Sequence, residues 1–204
     1  MGVAVKFIGG PLLSRHQDNA RCLDVKTNSG MVIAVPAKIP ADHVDRIHAQ
    51  WRREMPDVPL EGAPILARVG RINRLAAKDI DAALARHGLD PGEFYVLSAL
   101  RRAGPPFRLR PTEIFRTLMI SSGGLTDRLN RLERAGLIRR VDAADDKRSL
   151  PVELTREGVK RIEAAFREDM AIENALMQSL APNEREALAA LLRKLAAALE
   201  RNAP

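Results

Sequence analysis

Ile120-Ser121-Ser122-Gly123-Gly124-Leu125-Thr126-Asp127-Arg128-Leu129-Asn130-Arg131-Leu132-Glu133-Arg134-Ala135-Gly136 decides how this chain is read. Ser121 or Ser122 can accept a hydrogen bond from the free N–H groups of a first helical turn. Gly136 supplies the left-handed residue that ends a helix. Leu125, Leu129 and Leu132 recur at i, i+4 and i+7, so one stripe of the helix faces a core. Gly123, Asp127, Asn130, Arg131 and Arg134 face the other way, flanked by Thr126 and Arg128. Taken alone, that outer row fits two things equally well. It could be the base-reading face of a helix-turn-helix or a surface helix with solvated arginines.

The residues that follow decide between them. Leu137–Val141 has the composition of a strand, Asp142–Ser149 of a polar loop and Leu150–Leu154 of a returning strand. A recognition helix leading straight into a β-hairpin with a basic tip is a winged helix. The expected fold class is mainly α with a small β wing, a winged helix-turn-helix flanked by long dimerisation helices.

Upstream, Asp90-Pro91-Gly92-Glu93 combines a capping box with proline at the first helical position. Phe94, Leu97 and Leu100 form the buried stripe of that helix, and Gly104-Pro105-Pro106 stops it. Phe107–Leu109 reads as a short strand. Pro111-Thr112-Glu113 opens the first helix of the helix-turn-helix, with Ile114, Phe115 and Leu118. Asp42 caps a helix bearing Val44, Ile47 and Trp51. Ile65, Leu66, Val69, Ile72, Leu75, Ile80 and Leu84 make a longer helix, read as largely inward-facing and closed by His87-Gly88. After the wing, Thr155–Gly158 starts a helix with Val159, Ile162, Phe166, Met170 and Leu176. Leu180-Ala181-Pro182 interrupts it, and a last helix carries Leu188, Leu191, Leu192, Leu195 and Leu199.

Four segments follow: an N-terminal arm over 1–40, expected to be poorly ordered or loosely attached; dimerisation helices over 41–88; the winged helix-turn-helix over 89–155; and C-terminal dimerisation helices over 156–204. Met31 offers a second start for the natural chain. The terminal helices are too long and apolar for a small winged helix to satisfy, so their stripes are expected to pair across a two-fold axis. The alternative is an intrachain bundle.

Composition narrows the chemistry. The chain carries 33 Lys plus Arg against 26 Asp plus Glu. Residues 101–148 hold twelve of the former and six of the latter, an excess of +6 around the proposed reading head, which favours a polyanion partner. No apolar run is long enough to span a membrane. Cys22 is the only cysteine, so a disulfide framework is excluded and a cytoplasmic setting is expected. The histidines show no metal-ligand spacing, and no Gly-rich phosphate loop is present. No cofactor and no enzymatic activity are expected.

In this order the segments resemble the multiple antibiotic resistance regulator (MarR) family. The likeness is densest over Pro91–Leu100, Pro111–Gly136 and Asp146–Gly158. It implies a homodimeric regulator, expected to be a repressor released from an inverted-repeat operator by a ligand. The implied DNA contacts are Ser121, Ser122, Gly123, Thr126, Asp127, Arg128, Asn130, Arg131 and Arg134, with Lys147 and Arg148 from the wing. Arg148 would enter a narrow minor groove, oriented by Asp146. Asp127 departs from the family pattern, and it either reads a cytosine amino group or holds Arg131 or Arg128. Pro151 marks the returning strand as an edge lacking one ladder bond.

The run Asp42–Trp51 is similar to the first helix of the family's urate-responsive branch. That likeness implies an effector site at Trp51, Tyr95 and Arg140 for a small phenolic or purine-like molecule. Tyr95 stands where the branch has an aspartate, so Arg140 loses the carboxylate expected to hold it without ligand. Two other readings stay open. One is a cysteine redox sensor acting through Cys22, with Arg21 and Lys26 nearby to lower its pKa. The other is an architectural protein that binds DNA without sequence preference.

Overall fold

The computed structural model describes residues 22–26, 32–36, 39–118, 124–141 and 150–201, the first two segments as backbone only. The chain runs β1 (Cys22–Lys26), β2 (Val32–Pro36), α1 (His43–Glu54), α2 (Ala63–Arg86), α3 (Pro91–Arg102), β3 (Arg108–Leu109), α4 (Pro111–Thr117), α5 (Leu125–Arg134), β4 (Ile138–Arg140), β5 (Val152–Leu154), α6 (Arg156–Leu176) and α7 (Pro182–Arg201). It divides into two compact units. One holds α1, the first turns of α2, and α7; the other spans Gly70–Leu176.

In the first unit, Asp42 caps α1 through a reciprocal box with Asp45. Arg68 of α2 then closes on both carboxylates, at 2.9 Å to Asp42 and 2.6 Å to Asp45. The Asp45 backbone N–H, and after it the Arg68 guanidinium, hold the Asp42 carboxyl below its ordinary range. The N-terminal arm contains a feature that composition did not signal. β1 and β2 form an antiparallel hairpin, registered from Cys22 opposite Pro36 to Lys26 opposite Val32.

The second unit is built on the core of α3. Phe94, Leu97 and Leu100 are buried as expected, joined by Leu84 from α2, Ile114 from α4, Leu129 and Leu132 from α5, and Ile162 from α6. α2 ends with Leu89 N–H donating to Leu84 C=O and Gly88 N–H to Ala85 C=O, Gly88 being left-handed at φ 67°. This arrangement satisfies the last carbonyls and brings Leu84 and Leu89 into the core together.

The three-stranded antiparallel sheet has the order β3-β5-β4. That corrects the reading of Pro151. The strand it precedes is central, not an edge, and the proline lies just before the ladder, where no strand N–H is required of it. Its carbonyl still accepts from Val141 at 2.9 Å. Thr155 caps α6, its hydroxyl accepting from Gly158 N–H at 3.0 Å. Gly158 is needed there because a Cβ would lie 2.0 Å from the Leu137 carbonyl oxygen.

A second correction concerns α2. Only Ile80 and Leu84 pack on the core, whereas Ile65, Leu66, Val69, Ile72 and Leu75 are each 44–62 % exposed. On α7, Leu188, Leu191, Leu192, Leu195 and Leu199 are likewise exposed. Among the described residues no helix is long and apolar enough to cross a membrane, and no cluster of His, Cys, Asp or Glu could hold a metal.

Candidate nucleic-acid interface

α5 is fixed at one end and along one side. Leu129 and Leu132 are buried, and Leu125 packs partly against the same core. At the C-terminus, Leu137 N–H donates to Leu132 C=O and Gly136 N–H to Glu133 C=O, with Gly136 at φ 69°. The start differs from expectation. The capping position is Gly124, left-handed at φ 82° and without a side-chain cap bond, so neither serine occupies it. Ser121, Ser122 and Gly123 lie outside the described residues, as do Asp146, Lys147 and Arg148.

The outer face carries Thr126, Asp127, Asn130, Arg131 and Arg134, all exposed, with Arg128 half-buried. Arg131 is committed within the fold. Its Nη2 lies 2.7 Å from Asp90 Oδ2 and its Nε 2.8 Å from Glu93 Oε1. These are the two residues of the α3 capping box, which use their other oxygens to bond each other's backbone N–H. One carboxylate pair therefore starts α3 and docks α5 on it. The Glu93 bond, ahead of the Asp90 charge, raises the Arg131 pKa further above its ordinary value. Holding Arg131 thus falls to Asp90 and Glu93 and not to Asp127. Arg128 lies over Gly92, where a Cβ would come within 2.2 Å of its Nε.

The far end of α5 is braced from the sheet. Arg140 donates through Nε to Glu133 at 3.1 Å and through Nη2 to Asn130 Oδ1 at 2.8 Å. The expectation that Arg140 lacks a carboxylate partner is thereby overturned, because Glu133 faces β4 from the last turn of α5. Arg134 donates to the Asn130 carbonyl at 3.2 Å. Tyr95 is 39 % exposed and shares a shallow depression with Asp90, Gly92, Asp127, Arg128 and Arg131. Among the described residues no hydrogen bond joins it to Arg140. Trp51, in the first unit, is 53 % exposed.

Not every arginine in the basic segment is available to a partner. Glu153 on the central strand stands opposite Arg108 of β3 and Arg139 of β4 and pairs with both. Arg139 first, then Arg108, hold this buried carboxyl below its usual range. Arg101 pairs with Glu163 at 2.7 Å. No local sequence pattern marks the carboxylates Asp90, Glu93, Glu133 and Glu153 as partners of the basic residues. Asp90 and Glu93 were visible in the sequence as a cap. The other two carried no local signal.

A helix whose buried stripe anchors it, whose outer face is polar, and which runs into a β-hairpin is the reading head of a winged helix. Residues 87–149 match the model of the MarR family. Over 149 residues the chain is 35 % identical to the HTH-type transcriptional regulator PecS of Dickeya dadantii (strain 3937), covering 73 % of this chain and 90 % of that one. This chain belongs to the MarR family. It is a winged-helix, DNA-binding transcriptional regulator, and the family is one of regulators and not of enzymes. Among solved structures it is similar to Sco3205 from Streptomyces coelicolor, a MarR family regulator in complex with DNA. The TM-score is 0.60 at 26 % identity, over 70 % of this chain and 93 % of that one. It is also similar to BpsR of Bordetella bronchiseptica, whose DNA binding is regulated by 6-hydroxynicotinic acid. There the TM-score is 0.52 at 26 % identity, over 63 % of this chain and 98 % of that one.

Proposed function

We propose that this MarR-family chain acts as a homodimeric repressor on an inverted-repeat operator and leaves it when a small aromatic or anionic effector binds. The observation that carries the reading is α5 itself, anchored through Leu129 and Leu132 while Thr126, Asp127, Asn130 and Arg134 stay exposed. In this reading those residues, with Arg128 and Arg131, meet the major groove. Ser121, Ser122 and Gly123 lead into it, and Lys147 and Arg148 hold the flanking backbone and minor groove. The exposed apolar rows of α2 and α7 supply a dimer face. A two-fold dimer matches a two-fold operator.

Effector release has a physical route through Arg140. This guanidinium holds Glu133 and Asn130, both on the recognition helix. An anionic or phenolic ligand that takes Arg140 would loosen that brace. Tyr95 offers a hydroxyl on α3. Trp51 enters as a stacking platform on the strength of the family likeness. The related BpsR, regulated by 6-hydroxynicotinic acid, supports a heteroaromatic acid as the ligand class.

Titration of phenolic acids and purines, following both Trp51 fluorescence and release of a bound duplex, tests the effector half. The expected result is saturable release; Arg140→Ala, which removes the same brace, should bind the duplex more weakly without ligand and no longer respond to it. Release by none of these compounds, with regulation intact in Trp51→Phe, would remove it.

A further inference from the structure

Asn130 stands exposed on the outer face of α5, and the two ends of its side-chain amide are not equivalent to a partner. Oδ1 accepts hydrogen bonds, whereas Nδ2 donates them. Rotation about the last side-chain torsion exchanges the two ends at little cost, so an unconstrained asparagine presents either. In a major groove that choice decides which base is read. Purine N7, guanine O6 and thymine O4 are acceptors, whereas cytosine offers its N4 amino donor.

Here one end is taken. Arg140 Nη2 lies 2.8 Å from Asn130 Oδ1. A guanidinium carries donors only, so the amide atom facing it is the carbonyl oxygen, and a flipped amide would set donor against donor. Arg140 is in turn fixed from two sides. Its Nε donates at 3.1 Å to Glu133, three residues further along α5, and its backbone stands in register with Val152 of the central strand. The Asn130 main-chain carbonyl is occupied too, accepting from Arg134 Nε at 3.2 Å. With both of its oxygens turned to arginines, Asn130 shows a partner its amino group.

We infer that Arg140, a residue of the wing strand, is a specificity-determining positioning residue: it locks the Asn130 amide with Nδ2 outward, so that Asn130 reads a base bearing a major-groove acceptor and rejects cytosine. The inference rests on the proposed entry of α5 into the major groove and deepens it. It differs from the brace already assigned to Arg140. A brace sets how firmly α5 is held for every sequence alike, whereas the amide lock acts at one base position.

Selection of duplexes from a random pool by the full chain and by its variants tests this. The unaltered chain is expected to enrich a motif in which cytosine is disfavoured about fivefold or more at one position of each half-site. Asn130→Ala should erase the preference at that position alone, which assigns it. Arg140→Ala should readmit cytosine there, and Arg140→Lys, which keeps a donor, should retain more of the preference. Asn130→Asp, which offers acceptors only, should turn the preference towards cytosine. Glu133→Ala loosens the brace and leaves the amide bond in place, so it should weaken all duplexes with the base preference intact. If Arg140→Ala does not fold, Arg140→Gln, whose own amide can meet Asn130 with either end, decides in its place. A pool that stays unenriched overturns the major-groove reading and the inference with it. A motif that Asn130→Ala leaves unchanged, or an Arg140→Ala that weakens every duplex alike without readmitting cytosine, overturns the inference alone.

Discussion

Arg131 shows how one side chain can serve both the fold and its proposed target. Asp90 and Glu93 hold it against α3, yet the pair is partly exposed, and ion pairs of that kind contribute little net stability. A bidentate contact with guanine is worth more, so the same guanidinium can exchange partners when a groove arrives. Arg131→Ala should weaken binding about tenfold or more at one operator and relax preference at one base position. Arg148→Ala should weaken many duplexes alike and flatten the salt dependence by about one unit. Binding isotherms over a panel of operators at several salt concentrations distinguish the two. Identical behaviour of both variants would remove the division between base reader and groove anchor. The sequence showed Arg131 on the outer face through helical period alone. Its partners, 38 and 41 residues away, are brought near by tertiary packing that no local pattern encodes.

Among the elements, those with short-range signatures were the most legible. The i, i+4, i+7 leucines and Gly136 marked the buried stripe and the end of α5 but not its start, and the Asp42 cap and the Asp90 capping box placed the starts of α1 and α3 to the residue. Sheet order was not legible, because whether Val152–Leu154 is central depends on Arg108 and Leu109 returning from more than forty residues earlier. The same long-range pairing joins Glu153 to Arg108. Nor did the β1–β2 hairpin announce itself, its strands being five residues each. The junction of β4, β5 and α6 is the least forgiving point of the wing. Gly158→Ala should destabilise the fold by about 1–3 kcal/mol, the usual effect of overpacking, because the displaced neighbour is the Leu137 backbone. Denaturant unfolding measures this, with Gly70→Ala as control at an open helical position. Equal stability of Gly158→Ala and the control would show that the contact relaxes freely.

At the scale of the whole molecule, the exposed apolar rows matter most. Ten large apolar side chains along α2 and α7 remain exposed in a single chain, more than scattered surface hydrophobes would explain. Replacing Leu191 and Leu195 together by glutamate should give a folded monomer that no longer binds an inverted repeat. Light scattering showing an unchanged dimer would count against the proposed interface. The most direct test of the central claim is selection of duplexes from a random pool by the full chain at physiological salt. The expected outcome is enrichment of one inverted repeat, its half-sites centred about one helical turn or a multiple of it apart, bound by two copies of the chain. A pool that stays unenriched, with all duplexes bound alike, would contradict it and leave a protein that holds DNA by charge alone.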